Sequence, residues 1–372
     1  MKLAIEARPI RWSYGTGIGN YTHSLIEKLY EIDRENEYTF LWTEGDPGTL
    51  IPFRRKYSYY SLPREDQREE VEIPLWLNQE GAEVFHLPQN GFRTPSPGQY
   101  KVVVTIHDLI PYFYPEFVRT SFLKRFVAEM PFIVERADHI ISVSEASKND
   151  LITVFGLDPD KIAVIPSGPS AAYQPLPKER TAPWLRKKYR LSCRYILYVG
   201  GLNPRKNVSE LVYAYSKIIG DLPDQQRLVI LGGESKHLDK LKRLAEALSI
   251  QDDVIFPGFV PTEDLPYFYN GADLFVYPSF YEGFGLPPIE AMACATPVIT
   301  SNVSSLPEVV GDAALTVSPT DTLALAEAIL QVLTSPALRE SLIKKGLQQC
   351  QRYNWTKIAT QVLEVYRKVQ QS

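Results

Sequence analysis

Short apolar runs rich in β-branched and aromatic residues alternate along this chain with longer amphipathic stretches, the pattern of successive βαβ units with parallel strands. In the first half, residues 2–7, 38–42, 84–86, 102–106, 139–143 and 163–165 read as strands, and 19–30, 122–135 and 145–155 as helices. The alternation breaks between Pro166 and Pro183, where prolines cluster among small and polar residues in the manner of a linker. It then restarts. Residues 195–199, 227–231, 254–256, 274–277, 297–300 and 314–317 read as strands, and 207–219, 236–248, 287–293, 322–333 and 336–351 as helices. The boundaries that follow are an N-terminal domain over 1–170, a linker over 171–190 and a second domain over 191–355. A last helix, 356–368, fits a cap on the second domain by pattern alone; residues 356–372 are assigned here to the first domain. The expected fold is α/β: two facing Rossmann-like domains with a deep cleft between them, at which the strand carboxyl ends would place ligands.

Composition narrows the function. At 372 residues the chain is long for one core and suited to two. A net charge of -4 lacks the basic excess of a general nucleic-acid binder. Cys193, Cys294 and Cys350 are far apart with no CxxC spacing, which predicts neither a disulfide framework nor a zinc site and suits a cytoplasmic protein. The N-terminus reads as a first strand and not a signal peptide, and no run approaches the ~18 apolar residues of a membrane span.

The chemistry concentrates in Ser279-Phe280-Tyr281-Glu282-Gly283-Phe284-Gly285-Leu286-Pro287-Pro288-Ile289-Glu290-Ala291-Met292, directly after an apolar strand. Its glycines permit unusual backbone angles, and its prolines preset a helical first turn where a missing N–H costs nothing. The amides of Phe284, Gly285 and Leu286 should then converge at a helix N-terminus, an anion site suited to a diphosphate. Glu282 stands before the turn, and Glu290 is expected in the first helical turn, facing the same pocket. Taken alone, Glu290 reads equally as an exposed acid at a helix start.

This string resembles the E-x7-E signature of the retaining glycosyltransferases with the GT-B fold, the group 1 or GT4 family. The resemblance extends over nearly the whole chain and is strongest in the second half. It implies that Glu282 bonds donor-sugar hydroxyls, that Glu290 bonds the nucleotide ribose, and that the intervening amides hold the phosphates. Gly200-Gly201-Leu202-Asn203-Pro204-Arg205-Lys206-Asn207 is similar to the family's basic motif, in which Arg205 and Lys206 would neutralise the leaving diphosphate. Where many members carry an Arg after the first glycine, this chain has Gly201, which places more of the charge on Arg205 and Lys206. In Gly15-Thr16-Gly17-Ile18-Gly19-Asn20, Gly17 and Gly19 match the loop that covers the donor phosphates. His107, ending the strand 102–106, matches a histidine near the reacting carbon. Phe259 and Val260, after Gly258, match the loop that receives the nucleobase. Asp158-x-Asp160 has a metal-site form but sits in a proline turn and reads as turn chemistry; no metal or other cofactor is expected.

The implied activity is transfer of a sugar from a nucleotide diphosphate donor to an acceptor hydroxyl, most like the mannosyltransferase branch with GDP-mannose, in polysaccharide or glycolipid assembly. Glu282→Ala is expected to abolish transfer and leave the fold intact. The implied partners are the donor and a saccharide or lipid-linked saccharide, with no nucleic acid. Basic residues near aromatics, Arg54-Arg55-Lys56-Tyr57 and Arg119 with Lys124-Arg125, could rest on the inner face of a membrane as readily as form a solvated surface. Rival readings are a sugar-nucleotide epimerase on the same fold, a glycoside hydrolase using Glu282 and Glu290, and a non-catalytic nucleotide-sugar-binding protein.

Overall fold

The computed structural model describes residues 1–13, 15–51, 57–62, 68–233 and 235–371. They form two compact units, Met1–Gly168 with Tyr353–Ser372, and Pro169–Arg352.

The first unit is built on seven parallel strands: β1 Lys2–Glu6, β2 Glu37–Trp42, β3 Ser58–Ser61, β4 Val84–Leu87, β5 Lys101–Ile106, β6 His139–Ser142 and β7 Ile162–Val164, in the order β3-β2-β1-β4-β5-β6-β7. Helices cover the sheet, as all-parallel sheets require. Phe126, Met130 and Ile133 of helix Thr120–Arg136 pack with Phe85, Val102, Val104 and Ile140 of the strands, and Trp76 and Leu77 of helix Glu69–Glu80 join the same core. Helix Gly17–Ile32 is capped by Thr16, whose Oγ1 accepts the Gly19 amide. Gly19 is needed for packing: a Cβ there would collide with the Ser13 carbonyl of the preceding turn. Gly19→Ala is therefore expected to cost about 3 kcal/mol, as overpacking does, and to lower Tm by roughly 5–10 °C in thermal denaturation; an unchanged Tm would refute this account of the glycine.

Helix Trp355–Gln371 belongs to the first unit, where Ile358, Val362 and Tyr366 are buried against helix Gly17–Ile32 and strands β4 and β5. It brings the Tyr366 hydroxyl within 2.6 Å of His86 Nδ1, and the other ring nitrogen of His86 meets Thr105 Oγ1 at 2.8 Å. Complete burial, with His107 nearby, pushes the His86 imidazole down to about 3, so it is a neutral part of the core.

The second unit has six parallel strands: β8 Tyr195–Val199, β9 Arg227–Leu231, β10 Val254–Gly258, β11 Leu274–Tyr277, β12 Val298–Ser301 and β13 Leu315–Val317, in the order β10-β9-β8-β11-β12-β13. In each sheet the order reverses once, between β1 and β4 and between β8 and β11. Such a switch point opens a crevice at the strand carboxyl ends.

Besides the short helices Pro9–Trp12, Ile110–Phe113, Leu265–Gly271 and Leu306–Val310, three elements depart from the sequence reading. Strand β3, Ser-Tyr-Tyr-Ser, is a largely exposed edge and carries no apolar alternation. Helix Glu69–Glu80 contains Pro74, and helix Lys178–Tyr189 contains Pro183, so both lacked a clean helical pattern. The second is a correction to the linker expected over 171–190. Its Leu185 and Thr181 are buried, Trp184 stacks on Tyr267 at 4.0 Å, and Lys188 binds the buried Asp264 at 2.5 Å, so the helix is part of the second unit.

Candidate active site

The loops that follow β8 and β11 lie on either side of the second unit's switch point, and the structure stitches them together. The Phe280 amide donates to the Arg205 carbonyl at 2.9 Å, and the Arg205 guanidinium donates to the Tyr281 carbonyl. Lys206 Nζ reaches Glu282 Oε1 at 2.6 Å and the Tyr277 hydroxyl at 2.6 Å. Arg205 Nη1 stands 3.2 Å from the same carboxylate oxygen. All three charged groups are nearly or fully buried. Burial pushes the Glu282 carboxyl up, but the Lys206 and Arg205 charges outweigh it and hold the group below the usual carboxylate range. One anion and two cations leave this pocket with a surplus positive charge. Glu282, Arg205 and Lys206, expected from separate motifs, are thus one cluster.

The motif loop is held from below by residues that sequence reasoning did not assign. The Glu282 amide donates to Ser304 Oγ at 2.9 Å, and Ser305 Oγ donates to the carbonyls of Glu282 and Phe284, each at 2.8 Å. Gly285 caps the following helix at φ 104°, and a Cβ there would also lie 2.7 Å from Leu306 Cδ2, so only glycine fits. The helix runs Leu286–Ala293, so Phe284, Gly285 and Leu286 stand at its N-terminus as expected. Glu290, expected in the first turn, lies in the second, because the helix begins at Leu286. It is buried, and Tyr269 donates to it at 2.8 Å. Burial pushes this carboxyl up to about 7, against hydrogen bonding from Tyr269 and Tyr173. The two glutamates of one motif are therefore shifted in opposite directions by their surroundings.

Phe259 and Val260 follow β10, two strands from β8, on the same carboxyl edge. Gly258 there has φ 85°; Phe259 is 75% exposed and Val260 is buried.

In the first unit, Gly17 and Gly19 open the helix after β1, and an added Cβ at Gly17 would meet open space. His107 follows β5. Its amide donates to Asn90 Oδ1 at 2.8 Å, its Nε2 lies 2.9 Å from the Pro88 carbonyl, and Tyr21 meets its ring edge-on at 4.9 Å. Burial pushes the imidazole down to about 4, although the Pro88 bond opposes it. The ring is neutral at pH 7, with its proton on Nε2 toward Pro88 and Nδ1 left as an acceptor.

Asp158 accepts the Asp160 amide at 2.9 Å and caps a short 3₁₀ turn, the turn chemistry its sequence implied. Of the candidate membrane residues, Arg54, Arg55 and Lys56 lie outside the described residues. Arg125 is committed inward, 2.7 Å from Glu129 and over the Phe92 ring, whereas Arg119 and Lys124 are exposed. No helix among the described residues is long and apolar enough to cross a membrane.

Comparisons with known proteins agree with this architecture. The model of glycosyl transferases group 1 matches residues 186–349, and that of glycosyltransferase family 4 matches residues 15–171. The chain is 32% identical to O-antigen chain mannosyltransferase B of Escherichia coli over 99% of this chain and 100% of that protein. It is 32% identical to the serotype-specific mannosyltransferase WbdA of Escherichia coli over 73% of this chain, which corresponds to 34% of that longer protein. Among solved structures, sucrose-phosphate synthase from Thermosynechococcus elongatus superposes with a TM-score of 0.76 at 25% identity, over 99% of each chain. Anabaena Alr3699/HepE in complex with UDP-glucose superposes with a TM-score of 0.75 at 18% identity, over 99% of this chain and 100% of that one, a likeness of fold. With its paired parallel sheets, its Glu282–Arg205–Lys206 cluster and a relative matched from end to end, the chain belongs to the group 1, family 4 glycosyltransferases of GT-B fold.

Proposed function

We propose that this glycosyltransferase moves mannose from GDP-mannose, with retention of anomeric configuration, onto the hydroxyl of a growing saccharide. The observation that carries the reading is the buried Glu282–Arg205–Lys206 cluster beside a helix N-terminus, in a chain similar from end to end to an O-antigen chain mannosyltransferase. Departure of the nucleoside diphosphate leaves negative charge on phosphate and positive charge on the sugar carbon. Arg205, Lys206 and the amides of Phe284, Gly285 and Leu286 would stabilise the phosphate charge, a term that dominates many such reactions. Glu282 would orient the donor sugar, Glu290 the ribose, Phe259 and Val260 the base, and Gly17 and Gly19 would approach the donor phosphates. His107, neutral, would offer Nδ1 to a sugar hydroxyl. With two cations at hand the reaction needs no metal in this reading. The acceptor would be polysaccharide or lipid-linked, at the cytoplasmic face of a membrane, with Arg119 and Lys124 toward anionic lipid.

The test is turnover of a nucleotide-sugar panel with a mannose-containing oligosaccharide acceptor, in chelator, with product anomers read by NMR. Transfer from GDP-mannose alone, giving α-linked product with chelator present, is expected. An inverted product, a strict metal requirement, or an epimerised donor formed without acceptor would overturn the corresponding part of the reading.

A further inference from the structure

The first unit has its own switch point, between β1 and β4, and a cavity of about 160 Å³ opens there, lined by Arg8, Trp12, Gln89, Asn90, Phe92 and Arg93, with Phe122 and Arg125 at its side. Its floor is a buried network of charges. Arg8, 1% exposed, binds Glu6 at 2.6 Å and Glu69 at 3.1 Å, and Arg93 binds the same Glu69 oxygen at 2.6 Å. Burying the three ionised groups Glu6, Arg8 and Glu69 is costly and is sustained only by close pairing, which the partly exposed Arg93 completes from the cavity side. Placed at a ligand crevice, such a network presents fixed donors and acceptors to whatever fills it.

Two features define what fits. The first is charge. Each of the three guanidiniums lining the cavity has a carboxylate partner: Arg8 with Glu6, Arg93 with Glu69 and Arg125 with Glu129. The lining therefore offers hydrogen bonds without the surplus cation that draws a phosphate, in contrast to the Arg205–Lys206 site. The second is the presence of aromatic rings among polar groups. Arg8 lies over Trp12 at 4.9 Å, Arg125 lies over Phe92 at 4.8 Å, and Phe122, 42% exposed, meets Phe92 edge-on at 5.7 Å. Apolar ring faces beside amides, guanidiniums and carboxylates suit a pyranose, which has a C–H face and a rim of hydroxyls.

The same loop that walls this cavity also seats His107, through the Asn90 side chain and the Pro88 carbonyl. It does so in a strained conformation, with φ at 48° for Asn90 and 63° for Arg93 on either side of Gly91 at 68°. Strain of this kind persists where a site requires the geometry.

We infer that the cavity over the Arg8–Glu69–Arg93 network seats the terminal sugar of an uncharged saccharide acceptor and discriminates against acceptors that present a phosphate. The inference rests on the reading of this enzyme as one that extends saccharides, and it separates it from family members such as the D-inositol 3-phosphate glycosyltransferases, to which the chain is also similar.

The test uses the full chain and the ring positions Phe122, exposed, and Trp12, partly exposed, because variants of the buried Arg8 or Glu69 would unfold the unit. Saturation-transfer NMR with methyl α-mannoside and with mannose 6-phosphate reports binding without any donor. The neutral glycoside is expected to bind at least fivefold more tightly than the phosphate, and Phe122→Ala and Trp12→Ala to weaken it fivefold or more. In steady-state transfer the same variants should raise the KM for an oligomannose acceptor to a similar extent, with the donor KM within twofold of wild type. Equal or tighter binding of the phosphorylated sugar, or wild-type glycoside binding in both variants, would overturn the inference. Failure of the enzyme to use GDP-mannose leaves the donor-free binding arm intact, so the two readings fail separately.

Discussion

Glu282→Gln is expected to lower transfer by about a thousandfold, the order of loss seen when one preorganised group is removed from a reaction centre, while binding of free GDP tightens severalfold. The two effects have one cause. In the ligand-free protein the carboxylate neutralises part of the Arg205–Lys206 charge at 3.2 and 2.6 Å. Without it the pocket rises from one surplus cation to two, which favours a bound diphosphate but leaves the donor sugar unheld. The substitution is not silent for folding, and neither is Glu282→Ala, for which the motif alone implies an intact fold. Removing one partner from a buried ionic cluster costs roughly 3–5 kcal/mol, and the larger Glu282→Ala change adds a cavity. Because the Glu282 carboxyl is held low in the fold, its stabilising contribution is present above its ordinary range and is lost as pH falls through the folded value. The Tm gap between wild type and variant should accordingly narrow in acid. Calorimetric titration with GDP and initial-rate assays decide the matter: unchanged transfer, or weakened GDP binding, would reject the assigned role.

At Glu290 the expected result has the opposite sign. Burial pushes its carboxyl up to about 7 from an ordinary 4.5. A carboxyl raised by folding contributes stability that is complete below the unfolded value and is lost as pH rises through the folded one. Glu290→Gln keeps the shape and an acceptor for a tyrosine hydroxyl but never ionises. Relative to its difference from wild type at pH 4, the variant should gain on the order of 3 kcal/mol by pH 8, from about 1.4 kcal/mol for each tenfold change in proton affinity. Thermal denaturation across that range reads it directly, and a Tm difference independent of pH would show that Glu290 ionises normally. If Glu290 receives the ribose hydroxyls, donor binding near pH 6 should also release a proton, measurable by titration in buffers of different ionisation enthalpy.

What the sequence disclosed of this fold followed from local signals. Strands β8, β9 and β11 were legible because each is an apolar run, opened in β9 by Arg227 and bounded by polar or turn residues. The basic loop and the Glu282 loop could be placed together because each follows a strand of the same parallel sheet. The remainder depends on partners distant in the chain. Tyr269 and Tyr173, which hydrogen-bond Glu290 against the effect of its burial, and Ser304 and Ser305, which hold Glu282 and Phe284, carry no motif of their own; Ser304, at φ 52°, would have passed for an ordinary turn residue. The prolines of residues 171–190 concealed a helix because its stability comes from Trp184 on Tyr267 and Lys188 on Asp264, both contacts across more than seventy residues.

The hydroxyl that Tyr366 supplies to His86 spans 280 positions of chain, and this separation delays completion of the first unit. While synthesis proceeds, Pro169–Arg352 has all of its own strands and can close first. The earlier-made sheet must wait, with His86 and the face of helix Gly17–Ile32 uncovered, until residues 355–371 have left the ribosome. The unit begun first is thus the last to receive all of its elements.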